Sequence, residues 1–246
     1  MSDTIAEHGW TAVPVDAEAI FNGKPYLHKP GPASVKDFPF PSDDPIVAKT
    51  QAYAKEHLPQ QTYNHSMRVF YWASIIQAQQ FSSLTKIPPI SPSTIALTAL
   101  LHDLGTAPAF LTTTHLSFEF RGAIAAHAFL SSTPHAAPVP QTEAVVEAII
   151  RHQDLGTTGA ITWLGQLIQL ATVYDNLGAR PYLVHETTRG EVNEAFKREG
   201  WSGCFARTIR EEVKAKPWAH STHLGGMDGE GFANAVEGNI LMESYE

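Results

Sequence analysis

At 246 residues, with 43% apolar and 10% aromatic side chains, the chain can fill one sizeable core, and a single globular domain is the default. Its formal charge of −8 argues against DNA or RNA as partners, because nucleic-acid binding relies on lysines and arginines that displace counterions from phosphates. The lone cysteine, Cys204, has no internal disulfide partner, the opening MSDTIAEHGW lacks a secretory signal, and no run nears the roughly 18 apolar residues of a membrane span, so a soluble cytoplasmic protein is expected.

Residues 1–42 carry the punctuation of an irregular segment, with Pro14, Pro25, Pro30, Gly31, Pro32, Pro39 and Pro41. Trp10, Val13, Val15, Ile20, Phe21, Phe38 and Phe40 are too apolar for a disordered tail, so this stretch is expected to be an arm packed on a domain of residues 43–246. Asp44 before Pro45 is an N-cap followed by proline at the first helical position; that helix ends near His57-Leu58, where Pro59 closes it. From 62 to 81 the apolar residues form a helical stripe, with His65 in the first turn. Ser91-Pro92 opens STIALTALL, which runs into His102-Asp103 and stops at Gly105. Further helices are expected at 117–131, 141–153, 162–178, 187–199 and 202–215, with Gly200 as a stop between the last two and an irregular tail beyond. No run alternates with period two, so the predicted fold is all-α, a helical bundle with a coiled arm.

One constellation carries chemistry: His65, His102-Asp103 and Asp175, on separate helical segments. A single histidine is more often a hydrogen-bonded core residue than a ligand, and a His-Asp dipeptide occurs by chance. Context changes that balance, because Asp103 directly follows the apolar LTALL, and burying a carboxylate unpaired costs several kcal/mol. A cation resolves the difficulty. Asp175 likewise follows the apolar run LGQLIQLATVY. Imidazole nitrogen and carboxylate oxygen suit a borderline ion such as zinc, Fe2+ or Mn2+, and four protein ligands leave room for water or substrate.

H…HD…D on consecutive helices resembles the signature of the HD-domain superfamily, helical metal-dependent hydrolases and their relatives. More narrowly, GWTAVPV, TYNHSMRVFYW, SPSTIALTALLHDLGT, EAIIRHQDLG, ITWLGQLIQLATVYDNLGA, EGW and KPWAHSTH make nearly the whole chain similar to the fungal cyanamide hydratase family. The resemblance implies one Zn2+ held by His65, His102, Asp103 and Asp175. It also implies a small neutral nitrile, cyanamide, as substrate, with hydration to urea as the reaction and detoxification as the setting. Two departures from phosphate-cleaving relatives fit a neutral substrate. Thr106 stands where LHDIGK-like sequences have a phosphate-meeting lysine, and Phe118 stands where an HPEIGA-like histidine would add a second metal.

In the mechanism so implied, water activated at the ion attacks the nitrile carbon and a nearby base assists. His152 is the first candidate for proton transfer, its alternative being a helix C-terminal cap. Asn64 either hydrogen-bonds the substrate amine or caps its helix. Arg68, on the His65 face, either braces a carboxylate ligand or forms a surface ion pair. Tyr71 and Trp72 belong to the core or to an aromatic wall of the pocket. His220 and His223 form an HxxH spacing in an expected loop without further ligands, which favours a lid or a subunit contact. His115 and His127 are expected to face solvent or pack. The apolar arm and tail would serve a homo-oligomer as well as their own domain. Two other readings stay open: a nucleotide phosphohydrolase drawing charge from Arg68, Arg121 and Arg151, and a regulatory domain with a structural metal.

Overall fold

The computed structural model describes residues 5–132, 134 and 136–246; residues 1–4, which begin the expected arm and the MSDTIAEHGW start, lie outside the described residues. The arm contributes strand β1 (Ala12–Pro14) and helix α1 (Ala17–Phe21), the latter capped by Asp16, which accepts a hydrogen bond from the Glu18 amide. Asp44 caps α2 (Pro45–His57) by accepting from the Ile46 amide at 3.1 Å, with Pro45 first in the helix. Pro59 does more than close α2. Its carbonyl accepts from the Tyr63 amide at 2.9 Å and starts α3 (Gln60–Ile76), two residues earlier than expected, so His65 sits in the second turn. Residues Gln77–Phe81 continue as one π-helical turn.

Ser91 caps α4 (Pro92–Leu101) at the Thr94 amide, 3.2 Å, and His102 is the residue that ends it. Every residue of this helix from Thr94 to Leu101 is buried, which makes α4 the central rod of the bundle. A short α5 (Pro108–Leu111) leads to α6 (Phe118–Ser132) and α7 (Val139–Arg151). Strand β2 (Ala160–Thr162) precedes α8 (Trp163–Leu177), which Thr162 caps at the Gly165 amide and Gly178 terminates at φ 62°, a left-handed conformation that favours glycine. Helix α3 packs on α4 and α8, and α7 packs on α4, α6 and α8. Among the described residues, no helix is long and apolar enough to cross a membrane.

The fold is predominantly α-helical, as expected, with one addition. Strands β1 and β2 pair antiparallel, Ala12 opposite Thr162, Val13 opposite Ile161 and Pro14 opposite Ala160, a ladder too short to leave an alternating signal. Helix α9 (Glu186–Ala195) stops four residues short of the expected 199, because Phe196 and Lys197 leave helical geometry and turn their carbonyls to Arg68. Gly200, at φ 75°, separates it from α10 (Trp201–Ala215). The tail, expected to be irregular, contains α11 (Thr222–Gly225) and α12 (Glu230–Glu237). Its Phe232, Ala233 and Val236 pack on Trp201, Phe205 and Ile209 in a second apolar cluster, burial that outweighs the glycines at 225, 226, 229 and 231.

Gly105, two residues after the His-Asp pair, sets where α6 lies. A β-carbon here would overlap the Phe118 carbonyl, and one on Gly122 would lie 2.8 Å from the Gly105 amide nitrogen. Gly105→Ala is therefore expected to push α6 away and destabilise the protein by about 2 kcal/mol or more, read by urea unfolding. An unchanged midpoint would mean that the two backbones can part freely.

Candidate metal centre

Three helices deliver the four central donors: His65 from α3, His102 at the end of α4 with Asp103 just beyond it, and His152 at the end of α7. All four are buried. His65 Nε2 lies 3.1 Å from His102 Nε2 and 3.6 Å from Asp103 Oδ2, and His102 Nε2 lies 3.4 Å from the same oxygen. His152 Nε2 stands 3.8 Å from Asp103 Oδ1.

The outer nitrogen of each ring is already committed. Nδ1 of His65 meets Asp175 Oδ2 at 2.7 Å, that of His102 meets the Ala99 carbonyl at 2.8 Å, and that of His152 meets the Ile149 carbonyl at 2.7 Å. These partners only accept, so each Nδ1 carries a proton and each ring turns its Nε2 inward, as a lone pair wherever the ring is neutral. Two lone pairs 3.1 Å apart repel unless a positive charge is shared between them. Asp103 makes the same demand, since both of its buried carboxylate oxygens lack a hydrogen-bond partner among the described residues. Donors bound to one ion at roughly 2.0–2.2 Å sit roughly 3–3.5 Å apart, which matches the spacing of His65, His102 and Asp103. Among the described residues this trio is the group of histidines, cysteines and carboxylates whose atoms converge as a metal site requires, and it fits a divalent ion.

The electrostatics agree. Burial lowers His65 to about 4 and His152 to about 4, keeping both neutral. Burial also opposes charge on His102, but the Asp103 carboxylate outweighs it and the net shift is upward. Asp103, despite its burial, is held far below the usual carboxylate range by the surrounding imidazoles, chiefly His102. The pocket thus holds a fixed negative charge and draws a positive one.

Asp175 is placed differently from the sequence expectation of a fourth ligand. It lies behind His65, with both oxygens engaged. Arg68 grips it through Nε at 2.9 Å and Nη2 at 2.8 Å, Trp72 Nε1 donates at 2.8 Å, and Arg198 Nη1 approaches to 3.2 Å. Burial would raise its pKa, but the guanidiniums of Arg68 and Arg198 overcome that and hold it well below the usual range. Arg68 is thus paired with Asp175 in the interior rather than at the surface, with its third nitrogen on the Phe196 and Lys197 carbonyls.

Other sequence candidates fall outside the cluster. Asn64 accepts from Gln60 and donates to the Lys197 carbonyl, and it lines a separate groove of about 700 Å³ together with Tyr71. Thr106 is buried, and its hydroxyl donates to the Asp103 carbonyl at 2.7 Å, pinning the turn that carries the carboxylate. Phe118 packs edge-on to His152 at 5.6 Å, so an apolar ring occupies the wall where a second metal's ligand would stand. His115 and His127 are exposed.

Sequence reasoning missed several neighbours. Trp201 stacks on His65 at 4.3 Å and 13°, and its Nε1 donates to Asn176 Oδ1 at 2.7 Å. The block EGW was visible, but nothing local said that its indole would cover a histidine 136 positions away. A cavity of about 20 Å³, room for about one water-sized molecule, opens beside His152 and is lined also by Gln153, Thr172, Asn176, Leu224 and Phe232.

His220, expected in a lid or a subunit contact, is instead tied to its own domain. Its Nδ1 meets buried Glu119 at 3.2 Å and its Nε2 meets Asp154 at 3.2 Å, clasping the tail to α6 and to the loop after α7. The hydrogen bond to Glu119, with both carboxylates nearby, raises the His220 pKa despite burial. A raised histidine contributes stability that is complete below its unfolded value near 6.5 and lost as pH climbs through the folded value. Burial raises the Glu119 carboxyl in the same sense. The melting temperature is expected to fall by about 2–4 °C between pH 6 and 9 in the parent protein, and by less in His220→Gln. Equal slopes in the two proteins would show that the clasp carries no such charge.

The HD domain family model matches residues 62–177. Two Saccharomyces cerevisiae proteins, cyanamide hydratase DDI2 and cyanamide hydratase DDI3, are each 34% identical to this chain over 221 residues, which is 90% of this chain and 93% of theirs. The chain belongs to the HD-domain family of cyanamide hydratases that these two proteins represent.

Proposed function

We propose that this protein is a zinc-dependent cyanamide hydratase, adding water to the nitrile carbon of cyanamide to give urea and so disposing of a reactive small nitrile. His65, His102 and Asp103 would hold one ion; two nitrogens and one oxygen suit zinc, although the same donors accept Fe2+ or Mn2+. When bound, the ion supplies Lewis acidity, acidifying water and drawing electron density from a nitrile. Asp175 orients His65 through its Nδ1–H, and Trp201 holds the ring plane by stacking.

His152 performs the proton transfers. Its Nδ1–H is fixed on the Ile149 carbonyl, so the Nε2 lone pair, 3.8 Å from Asp103 Oδ1, is the one that accepts the proton of the attacking water, and the same residue lines the cavity. One C–O bond forms, one C–N π bond breaks, and His152 returns the proton to the nitrogen that gathers charge. The isourea so formed tautomerises to urea. Asp103, 3.8 Å away, stabilises the transient imidazolium.

The observation that carries this reading is a buried carboxylate without a hydrogen-bond partner among the described residues, set among inward lone pairs and 3.8 Å from His152, which lines a cavity with no lysine or arginine among its described lining residues. A phosphate would find no counter-charge in that cavity. The three arginines that could have served a phosphohydrolase are engaged elsewhere: Arg68 on Asp175, Arg151 on Glu147 and Asp154, and Arg121 over the Phe110 ring. Urea release from cyanamide, measured beside phosphate release from nucleotides and with metal analysis of the same preparation, tests the proposal. Phosphate without urea would refute it.

A further inference from the structure

Helix α8 presents two faces to the site. Asp175 turns toward Arg68 and His65, whereas Thr172, Val173, Asn176 and Leu177, spaced i, i+1, i+4 and i+5, line the cavity beside His152. Most of that cavity is apolar, roofed by Leu155, Leu224 and Phe232. Two side-chain amides interrupt it. Asn176 accepts the Trp201 indole N–H at 2.7 Å, and because an indole nitrogen can only donate, the Asn176 oxygen is fixed there and its NH2 is what remains for the cavity. Gln153 is 5% exposed, and its buried Oε1 has no hydrogen-bond partner among the described residues. A buried amide oxygen without a donor is destabilising, and beside a cavity it points to a donor arriving with a ligand.

Resting on the hydratase reading, we infer that Gln153 and Asn176 form a paired amide filter that selects a nitrile bearing an N–H group. Gln153 Oε1 accepts from the amino group of the substrate. The Asn176 NH2 donates to the atom that gathers charge, the nitrile nitrogen during attack or the carbonyl oxygen of the product. A methyl group in place of the amino group has nearly the same size but no proton to offer, so acetonitrile leaves Gln153 unpaired, whereas cyanamide satisfies it. A polar site of this kind rejects the analogue that lacks its partner far more strongly than an apolar pocket rejects a small change in size.

The test uses Gln153→Met, which keeps side-chain length and removes the acceptor, and Gln153→Glu, which keeps an oxygen at the same reach. In Gln153→Met with wild-type metal content, kcat/KM for cyanamide is expected to fall about 10–100-fold, mainly through KM, while acetonitrile turnover is unchanged; Gln153→Glu should recover most of the cyanamide activity. Asn176→Asp, which keeps the oxygen that holds Trp201 but loses the donor, is expected to lower kcat on both nitriles. A second readout needs no turnover: NMR titration should show the parent protein preferring urea to acetone, which has the carbonyl but no N–H, and Gln153→Met binding the two equally. A urea preference that survives in Gln153→Met, or parallel losses on both nitriles, would overturn the filter. Absence of urea production by the parent protein would instead overturn the hydratase reading, with the binding comparison still deciding whether the amide pair recognises N–H.

Discussion

Replacing His102 by alanine should strip the ion from the purified protein and cut urea formation by at least ~10³-fold, since a direct ligand is expected to matter more than the ~10–100-fold of a residue that only orients one. His102 supplies one of the two inward nitrogens 3.1 Å apart, its ring held in place by the Ala99 carbonyl. Asp103→Asn should lose the ion equally. The surrounding imidazoles hold this carboxylate far below its usual range, so its charged form stabilises the fold at neutral pH, and neutralising it should lower apo stability by about 1–3 kcal/mol, although neither oxygen has a hydrogen-bond partner among the described residues. Metal analysis, urea assay and chemical unfolding of chelator-treated protein check all three quantities. A His102→Ala protein without metal but with undiminished activity would leave the ion a structural part and move the chemistry elsewhere.

The second large effect is expected at Asp175. Arg68 and Arg198 are both fully buried, and their charge is answered chiefly by this carboxylate, with Glu246 also on Arg198. Asp175→Asn strands that positive charge in the interior and should destabilise the fold by about 3–5 kcal/mol, the range for breaking one side of a buried ion pair. The same change weakens the hydrogen bond to His65 Nδ1 and should lower metal affinity about 10–100-fold. Urea unfolding combined with calorimetric metal titration separates the two losses. If affinity disappeared entirely while stability held, Asp175 would be acting as a ligand rather than as a brace.

That distinction marks where the sequence ceased to be legible. The cap-and-proline start at Ser91-Pro92 and the apolar run behind it placed His102-Asp103 at the end of a buried helix, and the structure has them there. Which way Asp175 points was beyond reach. Neighbouring helical residues differ by about 100° in direction, so whether 175 or 176 faces the ion depends on the rotation of α8 about its axis. Packing against Arg68, Trp72 and Arg198 sets that rotation. Arg198 lies in a non-helical link, and Arg68 draws α9 to an early end through two backbone carbonyls, features that no periodicity announces. The tail was hidden for a related reason, as its glycines signal turns while its burial comes from a distant helix.

The short ladder between β1 and β2 also bears on how this fold could be reused. The segment 62–177 contains His65, His102, Asp103 and His152, yet residue 13 is laced to residue 161 just ahead of α8, Trp201 roofs His65, and Phe232 closes the cavity. A graft limited to 62–177 would carry the donors into a new scaffold without the clasp at one end or the ceiling at the other. The transplantable unit is the bundle together with both of its wrappings.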